Sequence, residues 1–372
     1  MSWEVVVTRS NPVLPDPRVS RLVRCLKGAG YHCSVLAWAR ERLDKTGLTP
    51  GYPCCRMYFP GRFGGGFLNL FGLLVFNLWL LWNHLKTRPP VIHAYDLDTV
   101  LPALLARCLV KSRVVYDIAD WYADSRKVGC LKPLANWLER LACRAADLVV
   151  LAHESRIEQT GFSPRRWVVF YNTPEEIDCL ANHGEHTEPG DYFVYVGVLQ
   201  PDRGIEQIIR AALAVGARLT IAGFGPLSKM CASESGKEDL VTFRGRVSYE
   251  EALALQRGAI AILALYDPAV PNNRFAAPNK LYEAMMLGRP IITSGGTLVG
   301  EIVEREGIGL VVPYDDVQRL GDAMRFLASH PEECERMGRK GRQLYEQRYS
   351  FARQCQAIQE AYRSLVESAV SR

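Results

Sequence analysis

The residues best suited to chemistry lie in the second half of the chain, at the ends of short apolar runs. In YVGVLQPDRGIEQIIRAA an apolar run ends at Gly197 and a helical stretch opens after Gly204, with Arg203 at the junction. A helix start offers unpaired N–H groups and a partial positive charge, and a guanidinium beside it makes a seat for an anion. IAGFGP (221–226) and VTFRGRV (241–247) supply two more glycine-bearing run ends, where exposed backbone groups can read a flat base edge. APNKLYEAMMLGRPIITSGG (277–296) then places Pro278 at a first helical turn and Gly288 at the close. Lys280 and Glu283 are spaced i,i+3 and share one face of that helix. A carboxylate there can accept both hydroxyls of a ribose, while the lysine and the helix start face phosphate. A surface ion pair is the alternative for Lys280 and Glu283, and ordinary strand–helix turns are the alternative for the glycines.

Other chemistries lack their residues. The first apolar run is followed by RSNPVLPDPR rather than G-x-G-x-x-G, and no Walker A, H-E-x-x-H or paired Cys/His spacing occurs. No nicotinamide cofactor and no metal are therefore expected. His153, His183, His186 and His330 stand isolated and read as surface or satisfied residues. No aromatic-and-basic stacking platform points to nucleic acid.

The elements that must position these residues alternate along the chain. Apolar, β-branched runs fall at 3–9, 31–39, 91–95, 113–119, 148–153 and 166–172, and again at 192–199, 218–223, 240–247, 259–266, 290–295 and 309–313. Helical stretches separate them: in PRVSRLVRCLKGAG, Val19, Leu22, Val23 and Leu26 share a face that Gly28 and Gly30 close. Runs so uniformly apolar fit parallel sheets covered on both faces. The polar, turn-rich stretch 174–191 reads as a linker, and three amphipathic helices are expected at about 315–329, 332–347 and 351–369. The fold class expected is α/β, two doubly wound Rossmann-like domains facing a cleft, with ligands at the strand carboxyl ends.

A length of 372 residues with 48% apolar and 23% charged residues suits a two-domain globular protein. Residues 1–174 hold 23 Lys+Arg against 13 Asp+Glu, whereas the remainder holds 22 against 27, so a net +5 hides a basic first half. That asymmetry suggests an anionic partner, set against uneven surface charge as the plain alternative. The 11 cysteines are odd in number, scattered and without a C-x-x-C pair, which argues against a disulfide scaffold and for a reducing cytosol. The N-terminus reads as a first strand rather than a signal peptide.

FLNLFGLLVFNLWLLWNHLK (67–86) departs from the regular pattern. At about 100° per residue, Asn69, Gly72, Asn77, Asn83 and His84 fall within roughly 140°, leaving a wide apolar face. One reading wedges this helix between other elements. The other dips Phe67, Phe71, Leu74, Leu78 and Trp82 into a bilayer interface, with Arg62, Lys86 and Arg88 at anionic headgroups.

Taken in order and spacing, VGVL…RG (197–204), IAGFGP, VTFRGRVS, PNKLYEAMMLGRPII and EGIGLVVPYDDVQRLGDAM resemble the donor domain of glycosyltransferase family 4, retaining enzymes of GT-B fold. The tail RMGRKGRQLYEQRYSFARQCQAIQEAYRSL is similar to that family's closing helices. DPRVSRLVRCLKGAGYHCSVLAW, VIHAYDLDTVLPALLA, VVYDIADWYADS and VVFYNTP resemble its N-terminal half. The resemblance implies an acceptor-binding domain at 1–173, a linker at 174–191, a nucleotide-sugar domain at 192–350, and a final helix, 351–372, packed back on the first domain. It implies that Arg203, Lys280 and Arg274 meet the donor diphosphate and that Glu283 holds the ribose. The backbone of Arg246 and Val247 would meet the base, and Pro278 and Asn279 would lie by the donor sugar. Asp120, Asp117 and His93 become candidates for orienting the acceptor or the donor sugar, with a buried structural role the alternative for Asp117. Arg18 is a candidate for an anionic acceptor, with a solvated helix-face arginine as the alternative.

Three positions depart from the family pattern: Val198 stands for an arginine, Phe275 for the first of two glutamates, and Ala119 for a histidine. The resemblance implies transfer of a hexose-type sugar from a UDP- or GDP-sugar to an acceptor hydroxyl without cofactor or metal. Lipid-linked molecules are among the candidate acceptors, and a place in the cytoplasm is expected, with peripheral contact with the inner face of an anionic membrane through helix 67–86 on the bilayer reading of that helix. The departures motivate an alternative, a non-catalytic nucleotide-sugar-binding or docking member of a glycan assembly complex.

Overall fold

A computed structural model of the chain describes residues 4–13, 16–40, 51–61, 70–126, 129–176 and 190–370. The chain forms two α/β units, Met1–Tyr171 with Ala352–Arg372, and Asn172–Phe351. Most of the expected linker lies outside the described residues.

The first unit is built on a parallel sheet of seven strands: β1 (Glu4–Arg9), β2 (His32–Ala39), β3 (Cys54–Tyr58), β4 (Val91–Tyr95), β5 (Arg113–Ile118), β6 (Leu148–Leu151) and β7 (Trp167–Val169). Their order is β3-β2-β1-β4-β5-β6-β7. Val7 in β1 lies opposite Val35 on one side and His93 on the other. The second unit repeats the plan with β8 (Tyr192–Val198), β9 (Arg218–Phe224), β10 (Val241–Phe243), β11 (Ile262–Ala264), β12 (Ile291–Ser294) and β13 (Gly309–Val312). Their order is β10-β9-β8-β11-β12-β13. Both sheets are therefore doubly wound, as the sequence pattern requires. Each reverses its winding at one point, β1/β4 or β8/β11, where such folds leave a crevice at the strand carboxyl ends.

Strand β3 is absent from the sequence reading. CCRMY carries no β-branched residue and none of its five side chains is buried, so this edge strand has no apolar signal. The run at 240–247 is strand only over Val241–Phe243, which leaves Arg244–Val247 as loop at the strand end.

Local signals account for the helix starts. Asp16 caps the helix Pro17–Gly28 through the amide of Val19 (3.2 Å), and Pro17 takes its first position. Beyond Pro313 the chain forms helices Val317–Ser329, Pro331–Leu344 and Phe351–Val370. The last returns to the first unit. Gln359 donates to the carbonyl of Cys25 (2.6 Å), and Tyr362 meets His93. Cys25 and Cys355 form a disulfide across 330 residues of sequence. That bond departs from the expectation of a chain without disulfides, because no local spacing pairs two cysteines so far apart.

The helix expected over 67–86 is described from Leu70 to Thr87; Phe67 and Arg62 lie outside the described residues. Its buried stripe is Gly72, Phe76, Leu80 and His84, not the apolar face. Gly72 admits the Trp38 ring, to which a Cβ would come within 2.7 Å, and Phe76 stacks on Trp38 at 5.7 Å. Asn77 and Asn83 turn back to helix carbonyls, and Asn77 also reaches the carbonyl of Asp98 (3.0 Å). The arc read as polar is thus partly the packed one. Burial pushes the His84 imidazole down to about 4, so it is neutral. Among the described residues no helix is long and apolar enough to cross a membrane.

Glu139, on the helix Lys132–Ala145, is fully buried and accepts from the amide of Tyr122 (2.9 Å). Burial pushes its carboxyl up to about 8, although that amide pulls it down. Between an ordinary carboxylate value and this one, the folded chain holds a proton that the unfolded chain has lost. Stability from this site therefore falls as pH rises toward 8 and levels above it. Glu139→Gln, which cannot ionise, should show a shallower fall in melting temperature between pH 5 and 8 than the wild type. Parallel curves by scanning calorimetry would contradict the burial argument.

Candidate functional site

At the carboxyl end of β8 the backbone passes through Gly197 with φ +150°, a conformation that favours glycine. The missing side chain matters as well, since a Cβ there would lie 2.7 Å from Lys280 Nζ. Lys280 enters from the helix Asn279–Leu287 and packs its ammonium over the Tyr195 ring (4.3 Å) and beside Tyr266 (5.9 Å). The guanidinium of Arg203 lies over the same Tyr266 ring at 4.7 Å. Two cations thus share one aromatic wall at the β8/β11 switch point. Burial, then the charge of Arg203, push the Lys280 ammonium down to about 7 against the pull of Glu283.

Arg203 is held by Asn273, whose Oδ1 accepts from Nη1 (3.1 Å) and whose amide donates to Asp202 (3.1 Å) and the Asp267 carbonyl (3.0 Å). Asn273 is buried, on the helix Pro271–Phe275. The neighbouring Arg274, expected beside the diphosphate, is exposed and donates to the carbonyl of Pro268 (2.8 Å). Phe275 shares that short helix.

Glu283 lies one turn beyond Lys280 and is buried. Its oxygens accept from Tyr249 Oη (3.2 Å) and Gln256 Nε2 (3.1 Å), both on the helix Tyr249–Arg257, rather than pairing with Lys280. One contact per oxygen orients the carboxylate and leaves lone pairs on each for another donor. Pro278 stands at the N-cap of the helix Asn279–Leu287 with no side-chain cap, and its neighbour Ala277 accepts from Asn172 (3.1 Å). Arg246 lies over the half-exposed Phe224 ring (4.6 Å) at the end of β9, with Val247 following in the loop. Val198, at the end of β8, is exposed. Asn273, Tyr249, Gln256 and Phe224 were not singled out in the sequence. Each acts through a partner distant in the chain.

In the first unit, Asp117, His93 and Arg18 come together in a buried network. Arg18 donates to Asp117 Oδ1 (2.8 Å) and to the Phe170 carbonyl (2.7 Å), and His93 Nε2 meets Asp117 Oδ2 (3.2 Å). The other nitrogen of His93 meets Tyr362 Oη (2.6 Å) on the returning helix. Burial opposes the Asp117 charge, but Arg18 and His93 hold the carboxyl below its ordinary range; burial lowers His93 despite Asp117. Asp117 and His93 expose no surface, so they tie the returning helix to the sheet. Asp120 differs: its side chain is half exposed at the end of β5 and accepts from the buried Arg156 (2.9 Å). Arg156 also caps the carbonyl of Ala119 (3.0 Å). Arg9, at the end of β1, pairs with Asp16 (2.8 Å) and Asp96 (2.5 Å), the latter at φ +56°.

Comparison with known proteins gives this geometry its class. Residues 15–173 match the model of the glycosyl transferase 4-like domain, and residues 190–330 match that of glycosyl transferases group 1. The chain belongs to this glycosyltransferase family and has its GT-B fold. It is 30% identical over 162 residues to the D-rhamnosyltransferase WbpZ of Pseudomonas aeruginosa, a match covering 43% of this chain and 42% of that protein. It is 25% identical over 322 residues to the alpha-D-kanosaminyltransferase of Streptomyces kanamyceticus, covering 77% and 81%. The chain thus spans less than half of the first relative and most of the second. Among solved structures, the sucrose-phosphate synthase of Thermosynechococcus elongatus superposes with a TM-score of 0.73 at 18% identity, covering 98% of this chain and 100% of that one. Anabaena HepE in complex with UDP-glucose gives 0.70 at 13% identity, covering 99% and 100%.

The close approach at Gly197 is testable. Gly197→Ala should lower the unfolding free energy by about 1–3 kcal/mol from backbone strain, plus the displacement of Lys280. Gly216→Ala, at φ +65° with nothing within 4 Å of its added Cβ, should cost less. Equal denaturant midpoints would contradict the contact.

Proposed function

We propose that the protein is a retaining glycosyltransferase that moves a hexose-type sugar from a UDP- or GDP-sugar to an acceptor hydroxyl in the assembly of a cell-surface glycan, polysaccharide or glycolipid. The observation that carries this reading is the pair Arg203 and Lys280, two cations on one aromatic wall with Glu283 turned to other partners. Like charges so placed repel; Asp202 meets the guanidinium only at 3.6 Å, and a diphosphate between the two cations relieves both. Relatives named for transfer of rhamnose and kanosamine, and a structural neighbour in complex with UDP-glucose, fit a hexose donor.

In this mechanism the bond from the anomeric carbon to the diphosphate oxygen breaks as the bond to the acceptor oxygen forms on the same face. The acceptor's proton passes to the departing phosphate. The energetic task is to stabilise charge growing on the leaving oxygens, and Arg203, Lys280 and the uncapped helix start at Pro278–Asn279 supply that. This chemistry asks for no metal. Glu283, oriented by Tyr249 and Gln256, accepts the ribose hydroxyls through its remaining lone pairs. The backbone of Arg246 and Val247 receives the base, with the Phe224 ring beside it. In the first unit, Asp120, half exposed and oriented by Arg156, is the candidate for contact with an acceptor.

Turnover of radiolabelled UDP- and GDP-sugars should fall by about 10²–10³ in kcat for Arg203→Ala and for Lys280→Ala. Wild-type rates in both would overturn the reading. Glu283→Ala should raise donor KM with little change in kcat, because the carboxylate holds the ribose in ground state and transition state alike. Lys280 carries its proton below about pH 7 and loses it above. Affinity for a nucleoside diphosphate sugar should therefore weaken as pH rises from 6 to 8, and Lys280→Met should flatten that dependence in titration calorimetry.

A further inference from the structure

Most of the large apolar side chains exposed by the described residues lie on three helices of the first unit, Leu70–Thr87, Asp96–Val110 and Lys132–Ala145, with the turn Gly129–Leu131. The middle helix packs against both of the others. They cross between strands β3 and β4, β4 and β5, and β5 and β6, so right-handed crossovers set them on one face of the sheet. The first helix turns Phe71, Leu74, Leu78 and Trp82 outward, each at least 56% exposed. The second adds Leu105 and Leu109, and the third adds Leu134, Trp137 and Leu141. Scattered exposed leucines need no explanation, but a layer of them does.

The exposed charge carried by the three helices themselves is positive, with Lys132 paired to the adjoining Asp124 (2.8 Å). The carboxylates of the three helices are Asp96, Asp98 and Glu139, and all three are buried. Exposed on the helices are Lys86, Lys132, Arg140 and Arg144, with Arg88 and Lys111 just beyond the first two. Helices that connect parallel strands run parallel to one another, so their last turns align and Lys86, Arg88, Lys111 and Arg144 share one edge. Lys86 lays its ammonium near the Trp82 ring (4.9 Å), with an apolar stem and a charged head.

We propose that this three-helix layer lies flat on a bilayer that contains anionic lipid, with its apolar side chains at the acyl boundary and its cations among the headgroups. Charge complementarity selects this occupant. A second copy of the layer would bring no exposed carboxylate of these three helices to meet the cations. The proposal goes beyond the donor reading and is independent of it, since it concerns other residues in the other unit.

Flotation of the full chain with phosphatidylcholine vesicles, with and without phosphatidylglycerol, tests the surface. The wild type should float with the anionic vesicles and be released by salt. Leu74→Asp/Leu78→Asp and, on the other two helices, Leu109→Glu/Trp137→Glu should each lower the partition coefficient by about tenfold or more. Both variants should keep the wild-type melting temperature, because the altered positions are exposed. The proposal is overturned if the wild type stays at the bottom of the gradient, if it binds neutral vesicles equally well, or if both variants float as it does. A lipid-free dimer that these substitutions split would assign the layer to a second copy and also overturn it. Donor turnover by Arg203→Ala, read separately in solution, fails or succeeds without regard to this result.

Discussion

Lys280 and Arg203 are held against the same tyrosine while Glu283, on the helix that carries Lys280, is hydrogen-bonded to Tyr249 and Gln256. Several features of the second unit surround that pair of cations, and Asp202 lies 3.6 Å from the guanidinium. Gly197 vacates the space the ammonium fills, Asn273 fixes the guanidinium, and Tyr266 walls both. Two cations this close repel one another, and Asp202 and Glu283 offset part of that repulsion. Burial, and after it the charge of Arg203, lowers the Lys280 ammonium against the pull of Glu283.

The first unit handles charge in the opposite way. Asp117 is compensated by Arg18 and His93, and the chain's last helix enters that network through Tyr362. Buried, paired ions of this kind are costly to break and rigidify what they join. The disulfide between Cys25 and Cys355 fastens the same helix a short distance away. At the strand ends Asp120, half exposed, is oriented by Arg156, whereas Arg9 gathers the buried Asp16 and Asp96. Asp96 adopts a left-handed backbone at the β1/β4 switch point, and one of its carboxylate oxygens is buried without a partner.

The helix Leu70–Thr87 shows how packing inverts a surface argument. A helix apolar nearly all round has no preferred inside, so its own composition does not say which face is covered. The Trp38 ring decides it, because only Gly72 lets the helix come close enough to bury Phe76 and Leu80 beside it. The face left over is the more apolar one, and its neighbours on the adjoining helices extend it.

Sequence alone determined what depends on near neighbours in the chain. The alternation of apolar runs and helical stretches implied two doubly wound sheets. The glycines and arginine around β8 located a strand–helix junction, and the i,i+3 spacing of Lys280 and Glu283 put them on one face of one helix. These follow from periodicity and backbone sterics, which are local. Tertiary structure decided everything that rests on a partner far along the chain. It fixed Asn273 on Arg203, Tyr249 and Gln256 on Glu283, and Arg156 on Asp120, and it turned Arg274 outward to the Pro268 carbonyl. It added the edge strand β3, whose hydrogen bonds come from β2 rather than from any apolar pattern of its own, and joined two cysteines that no spacing pairs. Hydrogen bonds and close packing select partners by position in space, and a linear pattern encodes that position only once the chain has folded.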